Sequence, residues 1–478
     1  MRSDQEYPAR IAPVQPRTWR RHAAGVSGRM TDATLPNHTI ADHIRRTLIL
    51  AWPVMLARMG LVGLTTADVM VLGRAGAEEL ADYTLGLSIY DSLLATMGGL
   101  TMGIGVLTAR STGAGLDHVA GTIWWRGVVY GALIGCALAV LLQFSPQLFA
   151  LLGQTPARAA SAGSVTRLVA LALPFVAIYF ATTTFLESLH RPMVGMFAVA
   201  LANISNLGLN ILLVHGIGPF PQMGAEGAAL ATVINSALLA AGLWLYTRHR
   251  LPDRARYGIG QVSPNAPTAA EQRRIGYGAG LSFSFEAGAF VMMTLFVGWL
   301  GTMALAVQAV VFQFLALTFM MAFGLAAATQ VRVGNAWGRG DARGMALAGW
   351  TGLGLTTLLA SLFAVIYVAF PMQALRLFTT DPVLLAAAAP VMAWMTLALV
   401  FDCNQSVLSH ACRGRGDTWV PTAMHLVSYW LVMVPAGYWF GIRSGAGVIG
   451  IYQGILLASI VSVTMMALRF RHLTRITG

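Results

Sequence analysis

The sequence predicts an all-α polytopic membrane protein, with twelve transmembrane helices in two pseudo-symmetric six-helix lobes around a central cleft. Three observations lead to this fold class. Of the 478 residues, 56% are hydrophobic and 10% are charged, as is typical of membrane helices. The Arg-rich stretch 248–274 separates two groups of six apolar segments, each long enough to cross a hydrocarbon layer of about 30 Å. Landmarks of the first half return in the second at an offset of roughly 221 to 226 positions.

The apolar segments divide the chain into five regions. We expect a disordered cytoplasmic tail over 1–44, an N-terminal lobe over 45–247, a cytoplasmic linker over 248–274, a C-terminal lobe over 275–470 and a second tail over 471–478. The first tail lacks the apolar core of a signal peptide, and Met1 and Met30 are both candidate start sites. The predicted spans are 48–73, 83–108, 123–143, 165–189, 193–214 and 227–246, then 275–300, 304–330, 346–370, 384–410, 420–440 and 448–468.

Glycines in the loops carry the internal repeat. The corresponding pairs are Gly73 and Gly298, Gly76 and Gly301, Gly113 and Gly334, Gly224 and Gly447, and Gly227 and Gly450. Two tandem halves that both start on the same side of the membrane imply a pseudo-two-fold axis along the membrane normal. The cleft between the halves is the expected substrate site.

The basic residues indicate the orientation of the chain. All 31 are arginines, and about 25 of them fall in the tails, the linker and the loops on that side. The opposite loops hold Arg74, Arg158, Arg167, Arg376 and Arg443. Arginine retained on one side is the positive-inside pattern, so we expect cytoplasmic termini in a bacterial inner membrane and no nucleic-acid partner.

Two classes of chemistry are disfavoured by composition. Without lysine the chain can form neither a phosphate-binding loop of the GxxxxGK type nor a Schiff base, so no ATPase motor is encoded. Cys136, Cys403 and Cys412 have no CxxC spacing, which argues against a zinc site or a disulfide framework. We expect no cofactor.

Four acids lie inside the predicted spans: Asp68, Asp91, Glu286 and Asp402. A charge at mid-membrane costs about 2.5 to 3.5 kcal/mol on insertion scales, so each acid needs a partner, a wet cavity or a function. Each could instead be a buried acid satisfied by neighbouring hydroxyls or held protonated. We favour a functional role for three of them and this structural role for Asp91.

Amides and small residues follow in the fifth and sixth spans. Asn203, Asn206 and Asn210 share one helix face, and the sixth span opens with the stretch from Gly224 to Thr232. Composition alone favours ordinary interhelical packing here. A carboxylate, two amide oxygens and a hydroxyl are also the ligands that a small cation or a proton relay would use.

With these residues in view, the chain resembles the multidrug and toxic compound extrusion (MATE) family of transporters from about Arg45 to Arg469. The stretches that carry the resemblance are Pro53 to Asp68, Asn206 to Asn210, Gly224 to Thr232, Gly280 to Glu286, and Asp402 to Gln405 running on to Asp417. The resemblance implies two six-helix lobes, a V-shaped cleft, and antiport of organic cations against inward H⁺ or Na⁺. It also implies small organic molecules and membrane lipids as partners, and a monomer.

The resemblance also assigns site residues. It implies an N-lobe coupling site of Asp68, Asn206, Asn210 and Thr232, a C-lobe pair of Glu286 and Asp402, and Na⁺ at either group. Asn210 stands where some relatives have an acid, and Arg58 adds a cation to a first span that is usually neutral there. We expect Arg58, Asp91 and Gln308 to face the substrate cleft.

Three other functions remain open at this stage. A flippase for lipid-linked sugars, related in fold, would want a basic cleft, and Arg58 is one step in that direction. A major-facilitator antiporter would carry a basic GxxxDRxGRR-like loop, which the stretch after Arg110 does not match. A membrane-embedded acyltransferase would use His410 or His425 with Asp402, but no HExxH or GxSxG motif accompanies them.

Overall fold

The computed structural model describes residues 39–151 and 153–475, and this part of the chain is helical without any β-strand. Most of the predicted N-terminal tail therefore lies outside the described residues. The first lobe contains α1 (Ile40–Ala75), α2 (Ala77–Gly113), α3 (Ala120–Leu141), α4 (Pro156–Ala170 with Leu173–Ser188), α5 (Pro192–His215) and α6 (Gly224–Leu245). The second contains α7 (Ala269–Trp299), α8 (Thr302–Arg339), α9 (Ala342–Ala369), α10 (Pro382–Gly414), α11 (419–443) and α12 (Gly447–Arg475).

The lengths and compositions of these helices confirm the predicted fold class. Ten of them are long and apolar enough to cross a membrane, and the two pieces of α4 together form an eleventh crossing. The twelfth is α11, which is helical throughout but alternates between α and π turns. The spans differ from the predicted ones mainly at their ends, since α1 begins at Ile40 and α2 at Ala77.

Local chemistry sets several helix ends. The side chains of Thr155, Thr268, Asp341 and Asp381 each accept a hydrogen bond from a backbone N–H in the first turn that follows. These contacts satisfy donors that a helix start leaves unpaired. At the C-terminal end of α8, Gly340 has a φ of 74°, a left-handed conformation that glycine adopts without strain.

Two of the predicted spans are distorted in the structure. The pieces of α4 meet at 42°, because Pro174 has no N–H to donate to the carbonyl of Ala170 and the helix breaks there. In α11, a π segment covers Leu426–Met433 just before Pro435. Short π segments inside α-helices are frequent at functional sites, and this segment contains Tyr429.

Each lobe has its own hydrophobic core. One cluster joins α2, α3, α4 and neighbours around Trp124 and Phe185, and another joins α7, α8, α10 and α11 around Met293 and Tyr429. Helix α2 packs on α7 and α8, and α1 packs on α8, so these four helices form the lobe interface. Its polar contacts include Thr96 to Ser284, Thr112 to Asn335, Arg110 to Glu271 and Arg332 to the His43 carbonyl.

These contacts occupy the half of the molecule where the linker runs. Three of them lie near the start of α1, the end of α2, the start of α7 and the end of α8, and Thr96 meets Ser284 about halfway along α2 and α7. A Cβ on Gly99 of α2 would be 2.6 Å from the Gly280 Cα of α7, so the helices approach backbone to backbone. The lobes are therefore closed against each other at the linker end, and the cleft between them opens toward the opposite end.

The chain after α6 is attached to the start of α3. The Gly121 N–H donates to the Tyr257 carbonyl over 2.7 Å, and the Ser263 N–H donates to Thr122 Oγ1 over 2.9 Å. Outside the membrane helices, Arg256 pairs with Asp117 at 2.9 Å, and its hydrogen bond to that carboxylate raises the pKa of Arg256. The predicted linker thus holds a defined position against the first lobe.

The close approach at Gly99 gives a first prediction. We expect Gly99→Val to push α2 away from α7 and to destabilise this closed end by about 1 to 3 kcal/mol, the usual cost of overpacking. The variant should melt at a lower temperature than the wild type in a thermal-unfolding assay on purified protein.

Gly98 supplies the matched control. Its nearest neighbour is Phe180 Cζ at 4.0 Å, which leaves room for a methyl group, so Gly98→Ala should melt like the wild type. Equal melting temperatures for Gly99→Val and the wild type would show that the backbone contact with α7 does not hold the lobes together.

Candidate functional site

A cavity of about 640 Å³ lies between the lobes. Helices α1, α2 and α4 of the first lobe and α7, α8 and α10 of the second contribute to its wall. Most of that wall is apolar. Its aromatic residues are Phe180, Phe283, Phe290, Phe312, Phe319 and Phe323. This volume and lining suit a drug-sized amphiphile.

Acids outnumber bases on the cavity wall. Four carboxyl groups line it, together with one guanidinium and one imidazole: Asp91, Glu187, Glu286, Asp402, Arg58 and His410. Asp91 is exposed to the cleft and makes no hydrogen bond or ion pair with any described residue. The described part of the cavity therefore has an excess of acids.

The Arg58 guanidinium is already partnered. Its Nη2 lies 3.4 Å from Glu187 Oε1, and both side chains are about nine-tenths buried. The guanidinium also sits over the ring of Phe323, 5.4 Å from the centroid. The positive charge that Arg58 adds to α1 is thus balanced by the carboxylate of Glu187 on α4.

Asp68 is enclosed among the helices of the first lobe and does not line this cavity. Its side chain is 3% exposed, and Oδ1 accepts hydrogen bonds from Asn206 Nδ2 at 2.7 Å and from Asn210 Nδ2 at 2.6 Å. Oδ2 accepts one from Tyr83 Oη at 2.7 Å, with Thr232 Oγ1 farther off at 3.5 Å. The structure brings together all four residues assigned to this site by resemblance.

The hydrogen-bond directions around Asp68 define its chemistry. Both asparagines turn their N–H groups toward the carboxylate, which leaves Asn210 Oδ1 buried without a partner. A ring of donors stabilises an ionised carboxylate. The carboxylate can take up a proton when one of these donors turns away from it. It is a poor cage for Na⁺, which needs the amide oxygens to point inward.

In the second lobe, Glu286 and Asp402 share one phenol. Tyr429 Oη lies 3.3 Å from Glu286 Oε1 and 3.2 Å from Asp402 Oδ1, and Ser459 Oγ is 3.5 Å from the same Asp402 oxygen. A phenol has one proton, so it can donate to only one carboxylate at a time. Two carboxylates at this spacing are a place for a shared proton or a small cation.

A directed chain of hydrogen bonds leads to this pair. Arg413 Nη2 donates to Ser282 Oγ at 2.8 Å, and Ser282 lies 2.5 Å from His425 Nδ1. His425 Nε2 is 2.9 Å from Gln405 Oε1, and Gln405 Nε2 donates to Tyr429 Oη at 2.9 Å. These partners assign the Nε2–H tautomer to His425. Ser282 then donates to His425, His425 donates to Gln405, and Gln405 donates to Tyr429, so each donor points toward the acids.

This geometry bears on the acyltransferase alternative. Ser282 and His425 are adjacent, but the third partner is the amide of Gln405 and not a carboxylate. Both residues are buried, and neither lines the cavity. His410 does line it, but its Nδ1 is bound to the Ser406 carbonyl. The two histidines are thus arranged for packing and hydrogen bonding more than for activating a nucleophile.

Gln308, assigned to the cleft from the sequence, does not line this cavity. Its amide Nε2 donates to Thr294 Oγ1 at 3.1 Å, and the side chain is buried between α7 and α8. The hydrogen bond holds it among the helices of its own lobe.

Several site residues were missed by sequence reasoning. Tyr83, Gln405 and Tyr429 are uncharged, and such residues are common in apolar spans. Only Glu187 carried a signal, because it is an acid in the last turns of a predicted span and so a potential partner for Arg58. The two tyrosines are recognised only once the helices are packed.

Comparison with known proteins agrees with the two-lobe fold. The family model MatE matches residues 53–212 and again 279–439, once in each lobe. The chain is 36% identical over 440 residues to the "Probable multidrug resistance protein NorM" of Caulobacter vibrioides, covering 92% of this chain and 93% of that protein. It is 30% identical over 446 residues to the "Multidrug resistance protein NorM" of Burkholderia vietnamiensis, covering 90% and 94%.

Solved structures have the same fold. The eukaryotic MATE transporter AtDTX14 superposes with a TM-score of 0.83 at 19% identity, over 92% of this chain and 98% of that one. An outward-facing multidrug resistance MATE transporter of the MOP superfamily superposes with a TM-score of 0.82 at 18% identity, over 91% and 96%. At these identities the likeness concerns the fold alone.

Proposed function

Because the chain belongs to the MATE family of transporters, we propose that it is a secondary active antiporter that exports cationic or amphiphilic organic compounds in exchange for inward H⁺ or Na⁺. The observation that carries the proposal is the inter-lobe cavity, which combines six aromatic rings with an excess of carboxyl groups. Such a wall attracts a cation with a large apolar body. The multidrug resistance proteins similar in sequence support the same function.

The direction of opening supports export. If the Arg-rich linker is cytoplasmic, as the positive-inside pattern indicates, the cleft opens to the outside in this conformation. An outward-open transporter releases its substrate and receives the coupling ion. The reverse state requires the contacts between the lobes to open, including Thr96 to Ser284 and Arg110 to Glu271.

Exchange follows from competition for negative charge. An ionised carboxylate attracts the organic cation, and an ion from outside neutralises the acid and removes that attraction. The groups around Asp68 point N–H and O–H donors inward and offer no oxygen cage to Na⁺, so they favour a proton over Na⁺ as the coupling ion there. The Glu286 and Asp402 pair suits either ion. One charge that crosses 100 mV supplies about 2.3 kcal/mol, enough to bias export roughly 50-fold.

Transport in proteoliposomes tests the function. Vesicles that contain purified protein are loaded with ethidium, and a pH gradient and a Na⁺ gradient are imposed separately. We expect one gradient or both to accelerate dye exchange several-fold over the same vesicles without a gradient. If the rate of dye exchange were the same with and without each gradient, antiport would be contradicted. If no cationic dye moved at all, the export function would be contradicted.

The pair of Arg58 and Glu187 gives a second prediction. Glu187→Gln leaves the guanidinium uncompensated in the cavity, and a charge about 8 Å from a bound cation costs about 2 kcal/mol at an effective dielectric constant of 20. We expect the KM for a cationic dye to rise about tenfold or more in the proteoliposome assay.

The double variant Arg58→Gln with Glu187→Gln is the control, because it removes both charges and should return the KM close to the wild-type value. A neutral dye should be affected little by either variant. If Glu187→Gln left the KM for the cationic dye unchanged, the ion pair would not set the charge of the cleft.

The flippase alternative gains no support from the charge of the cavity. Arg58 is the only arginine on the described wall, and Glu187 offsets it. A pyrophosphate-linked substrate would face three further carboxyl groups and no second arginine on the described wall.

A further inference from the structure

A second pocket of about 330 Å³ lies outside the substrate cleft, in a groove between α2, α3 and α7. Helix α3 belongs to the first lobe and α7 to the second, so the groove bridges the two lobes. It lies near the starts of both helices, at the end of the molecule where the linker runs. The mechanism above uses none of the residues in this groove.

Two arginines stand at the groove without acidic partners. Arg126 and Arg273 both line it, and neither forms an ion pair with any described residue. Arg126 Nη1 donates to the Pro267 carbonyl at 2.7 Å, which fixes the guanidinium in place and leaves its other donors available. The nearby acid Glu271 is instead 3.7 Å from Arg110. The groove therefore presents two positive charges to an anion.

A buried acceptor lies beside these charges. Gln272 is 7% exposed and lines the groove, and its Nε2 donates to the Ile123 carbonyl at 3.0 Å. That bond fixes the amide orientation and leaves Oε1 buried without a partner. An unpaired buried acceptor costs about 1 to 3 kcal/mol, so a hydroxyl donor from a ligand would stabilise it.

A strip of apolar side chains on α3 continues the groove beyond the two arginines and Gln272. Trp125, Val129 and Leu133 follow one another at four-residue spacing on α3, line the groove and are 40% to 65% exposed. Residues at this spacing form one helix face, directed at lipid in a membrane-spanning helix. Trp125 and Tyr130 near the helix start are residues that favour the membrane interface.

We propose that this groove binds one anionic phospholipid with a hydroxyl-bearing headgroup, of the phosphatidylglycerol type. Arg126 and Arg273 bind the phosphate, Gln272 Oε1 accepts a hydrogen bond from a headgroup hydroxyl, and an acyl chain lies along Trp125, Val129 and Leu133. Basic pockets between transmembrane helices on the cytoplasmic side are suited to such headgroups. Because the lipid contacts both α3 and α7, it also stabilises the closed linker end of the lobes.

Native mass spectrometry of the purified full-length protein tests this site directly, without any transport measurement. Dioleoylphosphatidylglycerol is compared with dioleoylphosphatidylcholine at equal concentration. We expect one tightly retained phosphatidylglycerol, and an affinity at least tenfold lower in the Arg126→Gln, Arg273→Gln double variant. Equal binding of the two lipids by the wild type would overturn the proposal.

Arg274→Gln is the matched control, because Arg274 is the exposed neighbour of Arg273 and does not line the groove. Arg274→Gln should bind the lipid like the wild type. If it lost as much lipid affinity as the double variant, the effect would come from net charge alone, and the site would be overturned. Gln272→Leu should equalise phosphatidylglycerol and phosphatidic acid, which has no headgroup hydroxyl. An unchanged preference would remove the assigned role of Gln272.

Inorganic phosphate distinguishes the lipid from a free anion. If the apolar strip contributes, phosphate added at the lipid concentration should not displace phosphatidylglycerol. Displacement would show a simple anion site and overturn the lipid assignment. These outcomes do not depend on whether the protein exports organic cations.

Discussion

We expect Asp68→Asn to abolish ion-coupled export, with a reduction of at least about 100-fold in proteoliposomes, in a protein that still folds. The substitution keeps the shape of the side chain and removes its ability to exchange a proton. The new amide can turn its oxygen toward Asn206 and Asn210, which donate to Asp68 Oδ1 at 2.7 and 2.6 Å. Its NH₂ group then meets the Tyr83 hydroxyl, which can rotate and accept. The cluster remains satisfied, and only the ionisable group is lost.

Two measurements accompany this variant. Membrane expression and thermal stability should match the wild type, since no buried polar group loses its partner. Asp117→Asn is the control, because it removes an acid from a surface ion pair with Arg256, outside the membrane helices, and should leave export and stability close to the wild type. Coupled export by Asp68→Asn at the wild-type rate would disprove the role of this carboxylate.

The double variant Glu286→Gln with Asp402→Asn should lose gradient-driven export to a similar extent. Both acids lie within 3.3 Å of Tyr429 Oη and so act as one unit for a proton or a cation. We expect each single variant to retain part of the activity, with effects that are not additive, because the remaining carboxylate can still take up a proton. The measurement is dye exchange under separate pH and Na⁺ gradients.

Stability distinguishes lost coupling from lost folding in this lobe. Replacing two buried carboxyl groups by amides removes the desolvation cost of their charges, so the double variant should be at least as stable as the wild type. Tyr429→Phe keeps both acids and removes the bridge, and it should reduce coupling less than the double variant. Full dye resistance in cells that express the double variant would exclude this pair from transport.

Much of the fold follows from consecutive residues. The lengths of apolar segments, the Arg-rich break near the middle of the chain and the repeated loop glycines led to twelve helices in two lobes, and the structure and the family comparison confirm that fold class. Hydropathy is encoded locally, because a membrane requires about 20 apolar residues in succession whatever their tertiary partners are. The cost of burying a charge likewise singled out Asp68, Glu286 and Asp402 before any packing was known.

The partners of those residues depend on contacts distant in sequence. Tyr429 meets Glu286 across 143 positions, and Arg58 meets Glu187 across 129. A tyrosine in an apolar span has no local pattern that marks it as a bridge, and Arg58 alone suggested a positive cleft until Glu187 was seen beside it.

The sequence by itself determined the number of helices, the two-lobe repeat and the placement of acids, because each of these depends on the composition of a short stretch. Only the tertiary structure decided which polar groups meet, where α4 breaks, which end of the cleft is closed and how Gln272 of α7 comes to line one groove with Arg126 of α3. The physical reason is that hydrogen bonds and ion pairs depend on distances of about 3 Å. Packing between helices sets those distances, whereas a helix forms from its own backbone bonds.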